Sequence, residues 1–263
     1  MVLPQPVKYS SKIIKAGALL PDTRTMLAQW NEACSVTENI ERLRRENVFG
    51  KASRSRVEDI LAIFRQRYFR QADTSKALIT LAHSSMSVVS LNQVLYFYAT
   101  QADPLLHDVV TEVLYPFHTQ GRNAIHPLDM QHVIARWVDE GKTTTRWSDT
   151  TIIRVARELM ATLRDFGILE GANHKRLAPM HVPVDVFAYV AFFLRQHQPS
   201  STHLLEHPEW QLFLLTPQMI ERFFIEAHQE RLLEYYAAGS IVRVTFPTDS
   251  IVEYAHAITQ RTH

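Results

Sequence analysis

The sequence predicts a mainly α-helical globular protein, and three observations predict it. Apolar residues recur at three- and four-residue spacing over most of the chain. Glycine is sparse, 7 among 263 residues, too few to punctuate the hairpins of an all-β fold. The segments between breaks are rich in Leu, Ala, Arg, Gln and Glu, which favour helix. With 46% hydrophobic and 21% charged residues, the chain can bury a sizeable core.

Pro21 and Asp22 open the first helical pattern, which places Met26, Leu27, Trp30 and Ala33 on one face and ends near Cys34. Ser35 begins Ser-Val-Thr-Glu, a capping box in which Ser35 takes the Glu38 N–H and Glu38 reaches back. Val36, Ile40 and Leu43 follow at helical spacing. After a break at 47–52, Ser53 or Ser55 caps a helix with Val57, Ile60, Leu61, Phe64 and Tyr68 on one stripe. Three helices joined by short turns are the layout of a tri-helical DNA-binding unit, in which one helix supports another that meets the duplex.

Three more helices are predicted at 74–84, 90–100 and 103–115, with Tyr96, Phe97, Tyr98 and Tyr115 in the core. The stretch 116–127, with Gly121 and Asn123, is the best domain boundary. It divides the chain into an N-terminal helical domain, 1–118, and a C-terminal helical domain, 119–263. Residues 128–140 form an amphipathic helix that stops at Gly141. Ser148-Asp149 caps a long helix packing Ile152, Ile153, Val155, Ala156, Leu159, Leu163 and Phe166 inward, with Arg154, Arg157 and Arg164 outward. A Phe-Gly-Ile-Leu-Glu turn and a short basic hairpin follow. That order gives a second helix-turn-helix-like unit, this one winged. Further helices are expected at 184–196, 208–214, 217–237 and 249–260, and a strand at 241–246, where apolar residues alternate.

Cys34 is the only cysteine, which excludes an intramolecular disulfide and fits a reducing cytoplasm. No secretory signal is apparent at the N-terminus. The longest apolar stretch, 182–194, is broken by Pro183 and Asp185 and falls short of the roughly 20 residues that cross a bilayer. It reads as a core helix, with no membrane partner.

The sharpest enzymatic match is His203-Leu204-Leu205-Glu206-His207, the His-x-x-Glu-His pattern of inverse zincins. Pro208 follows at once, so the helix is too short, and no third ligand is indicated; a solvated helical cap is the better reading. There is no phosphate-cradling Gly-rich loop and no nucleophile elbow. Neighbouring acids such as Glu58-Asp59 diverge by about 100° on a helix. No catalytic centre, metal or cofactor is expected.

What remains is cationic recognition. Net charge is only +1, but residues 42–76 carry ten cations against four acids, and residues 206–263 eight acids against four cations. Such asymmetry points to an anionic partner at one end. Arg42, Arg44 and Arg45 lie on the helix from Ser35, and Lys51, Arg54 and Arg56 lie in the next turn and first helical turn, where free N–H groups also favour an anion. Lys142, Arg146, Arg154, Lys175 and Arg176 offer a second surface. The bland alternative is a solvated face paired with Glu38, Glu41, Glu46 and Glu58. Because aromatics do not interleave with the basic run, double-stranded DNA held by its phosphates is favoured over single strands, with RNA as an alternative. An adaptor that offers the basic face to an acidic protein is the reading from another class.

The stretch Lys8-Tyr9-Ser10-Ser11 through Ala16-Gly17-Ala18-Leu19-Leu20, then Trp30, then the block from Glu46 to Arg56, then Arg67-Tyr68-Phe69 and Phe166 to Leu169, resembles the BrxA family of bacteriophage exclusion (BREX) systems. The resemblance implies a helical, non-enzymatic nucleic-acid binder that works beside other BREX components in phage defence.

Overall fold

The structure, a computed structural model, describes residues 8–198, 200–239 and 241–260. Helix dominates. Ile13–Ala16 (α1), Leu20–Ala28 (α2), Val36–Arg45 (α3) and Arg54–Tyr68 (α4) come first. The capping box forms as expected, with Ser35 Oγ accepting the Glu38 N–H at 3.2 Å and Glu38 accepting the Ser35 N–H at 2.7 Å. Ser53, not Ser55, caps α4. Helix α2 stops at Ala28, short of Cys34. A buried asparagine reshapes that connection: Asn39 Nδ2 donates to the Asn31 carbonyl at 2.8 Å and Asn39 Oδ1 accepts the Asn31 N–H at 2.9 Å.

Next come Ala72–Ala82 (α5), Val88–Ala102 (α6), Pro104–Val109 (α7) and Tyr115–Thr119 (α8), with a π turn at Val110–Leu114 joining the last two. Pro116 accounts for the π turn. It has no N–H for the carbonyl four residues back and its ring crowds that carbonyl, so the helix widens instead of ending.

The remaining helices are Pro127–Asp139 (α9), Asp149–Asp165 (α10), Val184–His197 (α11), Ser201–Leu205 (α12), Pro217–Gln229 (α13) and Ile251–Thr259 (α14), with a 3-10 turn at Pro208–Phe213. Strands β1 (Ala124–Ile125), β2 (Leu169–Glu170) and β3 (Lys175–Leu177) form one antiparallel sheet in the order β1-β3-β2. Strands β4 (Glu234–Ala238) and β5 (Ile241–Thr245) form a two-stranded ribbon. The helix expected over 217–237 is therefore corrected: it ends at Gln229, Arg231 turns left-handed at φ 57°, and 234–238 becomes the partner strand of β5. A strand partner is a long-range fact that helical periodicity does not carry.

The core centres on α6 and α11, both buried nearly all round. Their Tyr98 and Tyr189 hydroxyls meet at 3.0 Å in a site where burial raises both phenols above their ordinary pKa. Trp210 stacks on Phe187 at 4.5 Å. Helix α14 packs on α5 and α1 on α10, so elements from both sides of the expected boundary near 118 share one apolar cluster reaching from Tyr9 to Ile258. Among the described residues, no helix is long and apolar enough to cross a membrane.

Candidate nucleic-acid interface

The first basic group divides when folded. Arg44, Arg45, Lys51 and Arg54 line a recess of about 450 Å³ between α3 and α4, with Glu41 on the same wall. Arg42 points elsewhere, donating to the Gln29 carbonyl and pairing with Glu46 at 3.3 Å. Arg56 donates to the Lys15 carbonyl at 2.6 Å. Within the recess, Arg44 pairs with Glu58 across the two helices at 2.8 Å, and Lys51 pairs with Asp22 of α2 at 2.9 Å. These contacts tie elements together. Arg45, with 77% of its side chain exposed, stands only 3.9 Å from Glu46, and Arg54 makes no ion pair or hydrogen bond among the described residues. Val36, expected on the buried stripe, is 43% exposed, whereas Ile40 and Leu43 are buried.

The second group sits on a different framework. Helix α8, strand β1, helices α9 and α10, and the β2–β3 hairpin follow in chain order, and β3 lies between β1 and β2. Helix α10 begins at a polar cap supplied by Ser148, whose Oγ accepts the Thr151 N–H at 3.3 Å. Val155, Ala156, Leu159 and Leu163 of α10 are buried against α9 and the sheet. The opposite face presents Thr150, Ile153, Arg154, Arg157 and Arg164 to solvent. Ile153, expected inward, is 50% exposed; one position along from Ile152, it falls about 100° round the helix and past the edge of the buried stripe.

Arg154 makes no ion pair or hydrogen bond among the described residues. Arg157 pairs only with its neighbour Glu158 at 3.1 Å and Arg164 with its neighbour Asp165 at 2.8 Å. In the hairpin, Lys175 donates to the Gly171 and Ala172 carbonyls at 3.3 and 3.0 Å. Burial, and then the charge of Arg164, lowers the Lys175 pKa. Arg176 pairs with Glu170 across the hairpin. Gly171 holds the tight turn at φ 89°, where a Cβ would stand 2.1 Å from the His174 carbonyl oxygen. Arg157 and Arg164 belong with this surface although the sequence singled out Arg154 alone for a site; their signal was their place on the polar face of the same helix.

The turn between α9 and α10 is anchored from behind. Tyr9 forms a bridge with Thr143: its N–H donates to the Lys142 carbonyl at 2.7 Å and its carbonyl accepts the Thr144 N–H at 2.9 Å. Its ring lies 5.1 Å from buried Trp137, and its hydroxyl donates to Asp108 at 2.6 Å. Lys142 is used here, over the Trp137 ring at 5.4 Å and between Glu112 and Glu140 at 3.5 and 3.7 Å. Arg146, 86% exposed at its side chain, reaches Asp139 at 3.4 Å. Deeper in, His107 bridges Asp108 at 2.8 Å and Glu209 at 2.9 Å. Its hydrogen bonds to Asp108 and Glu209 raise its pKa to about 9. Burial pushes Asp108 and Glu209 up, but His107, together with Tyr9 and Lys142 for Asp108 and with Gln101 and His207 for Glu209, outweighs it and leaves both low.

His203 lies in α12, which ends at Leu205, so His203 and His207 do not share a helix. His207 instead caps the following 3-10 turn, its Nδ1 accepting the Glu209 N–H at 3.2 Å. Among the described residues, no group of three or more His, Cys, Asp or Glu is placed to hold a metal ion.

The family model described as BrxA matches residues 7–192. No curated protein matches the chain. Among solved structures, the chain is similar to the crystal structure of an uncharacterized protein from Magnetospirillum magneticum, with TM-score 0.60 and 16% identity over 79% of this chain and 100% of that one. At that identity the likeness concerns the fold alone.

Proposed function

Because the chain belongs to the BrxA family, and so is a component of a BREX phage-defence system, we propose that it serves that system by binding double-stranded DNA through its phosphates, with no catalytic step of its own. The observation that carries this reading is the helix–strand–helix–helix–hairpin order with a β1-β3-β2 sheet. We read this order as a winged helix-turn-helix, in which α10 would be the helix presented to the groove and the β2–β3 hairpin the wing.

Three features support it. The open face of α10 carries Arg154 and Arg157 three residues apart, so they share a side of the helix. The Arg157 ion pair is with a sequence neighbour and solvent-exposed, so a phosphate can replace it at little cost. Arg164, Lys175 and Arg146 extend the surface toward the wing and the turn. The recess holding Arg45 and Arg54 is a second contact.

An adaptor role has one observation in its favour: the β4–β5 ribbon exposes Tyr236 at 57% and Ile241 at 65%, beside α13.

The test is binding to a mixed-sequence duplex, the matching single strand and an RNA duplex, across about 50 to 200 mM salt, where each phosphate contact adds roughly 0.9 to the slope. Tightest binding to the DNA duplex, with a slope of several, is expected. Weak binding insensitive to salt would overturn the proposal in favour of the adaptor, and an RNA preference would overturn the choice of DNA.

A further inference from the structure

Another cationic feature lies apart from α10 and its hairpin. Lys8, Lys12, Arg67 and Arg70 line a recess of about 380 Å³ where the N-terminal segment meets the end of α4 and the junction of α6 with α7. Arg67 and Arg70 also border an adjoining recess of about 140 Å³, whose walls include Tyr68, Tyr98 and Phe193. The two spaces therefore adjoin, with Arg67, Arg70, Gln101 and Ala102 bordering both.

Arg67 is the informative residue. It is 6% exposed, and a buried guanidinium is costly unless its five donors are paired. Among the described residues its Nη1 donates to the Ala18 carbonyl at 3.3 Å, and the Tyr68 hydroxyl lies beside the guanidinium. None of the four cations forms an ion pair with a carboxylate among the described residues. The acid on the wall, Asp103, caps α7, accepting the Leu105 and Leu106 N–H groups at 3.2 and 3.5 Å, and the charges of Arg67 and Lys12 also favour its carboxylate. The buried Tyr68 hydroxyl faces Arg67 and Thr23, without a hydrogen bond of good geometry to either. Buried polar groups are ordinarily satisfied in a folded protein, and Arg67 leaves most of its five donors unused among the described residues.

We propose that this double recess binds a nucleoside phosphate. Its phosphates sit among Lys8, Lys12, Arg67 and Arg70, and its base lies in the smaller recess against Tyr68, Tyr98 and Phe193. The cationic part suits an anion, since four cations share the single acid Asp103. The aromatic part suits a flat ring, and Tyr98 and Phe193 already form an edge-to-face pair at 5.5 Å. Gln71 and Thr74 supply polar groups for the edge of a base. None of these residues belongs to the duplex surface on α10, so either reading can fail alone.

The test is thermal melting of the full-length protein with ADP, pyrophosphate or adenosine, repeated for Arg70→Glu and Lys12→Glu. Both residues are exposed, so neither change threatens the fold. ADP is expected to raise Tm in step with the logarithm of its concentration, by roughly 5 °C at a hundredfold excess over its Kd. Pyrophosphate should bind at least tenfold more weakly and adenosine weaker still. Each substitution should cut ADP affinity at least tenfold while leaving the unliganded Tm and duplex affinity unchanged. No shift with ADP or pyrophosphate up to about 5 mM, or an ADP shift untouched by both substitutions, overturns the site. Equal affinity for ADP and pyrophosphate overturns the base-binding half.

Discussion

The two basic surfaces of this protein differ in how their cations are spent. The α3–α4 region holds the larger surplus of positive charge in the sequence, yet Arg42, Arg44, Lys51 and Arg56 reach carboxylates or carbonyls, most of them on other elements, and hold helices in place. The α10 region carries fewer cations, but Arg154 is unpaired among the described residues and Arg157 and Arg164 pair only with adjacent acids at the surface. Formal charge therefore overstates what the first region can offer a ligand. Availability depends on whether releasing the cation also releases a helix.

The largest effect should come from the support of the second surface. Trp137→Ala removes a wholly buried ring under Tyr9 and Lys142 and should destabilise the protein by about 3–5 kcal/mol; chemical denaturation measures it. A loss below about 1 kcal/mol would show that the α9–α10 turn does not depend on that ring.

The His107 anchor comes next. Its pKa is raised to about 9, so its stabilisation is complete below the unfolded value near 6.5 and is lost as pH rises through about 9. Comparing His107→Gln with the parent should show a stability gap of at most about 3 kcal/mol below pH 6.5 that closes by about pH 9. A gap independent of pH would remove the charged histidine from the account.

Charge reversal then separates the two surfaces directly. Arg154→Glu with Arg157→Glu should weaken duplex binding about 10- to 100-fold and lower the salt slope by about two. Arg44→Glu with Arg45→Glu should weaken it on all sequences alike but by less than about tenfold, with a loss of stability as the Glu58 pair is broken. The reverse ranking, read in the same titrations, would move the main interface back to α3–α4. Smallest of all, Lys51→Ala should cost about 1 kcal/mol of stability through the lost Asp22 pair, with duplex affinity unchanged within about twofold; a larger affinity loss would make Lys51 a phosphate contact rather than a tie.

Much of this was legible from local pattern. Helical stripes, the Ser35 capping box and the Ser148 cap act over three or four residues, and each appears where spacing placed it. The order of α9, α10 and the basic hairpin was legible for the same reason. Other features were not. Ile153 looked apolar and inward, but its orientation is set by where α9 and the sheet press on α10. The strand at 234–238 depended on a partner at 241–245 rather than on its own periodicity.

The helical class, the caps and turns, and the segments that carry charge can all be read from the order of amino acids, because each follows from interactions within a turn or two of chain. Which arginines are tied to Glu58 or a distant carbonyl, which lysine is tied to Asp22, and which cations stand open on α10 emerged when the helices packed. Packing also brought Lys8, Lys12, Arg67 and Arg70 to one recess. A charge takes its value from neighbours in space, and those neighbours are chosen by contacts between helices far apart in the chain.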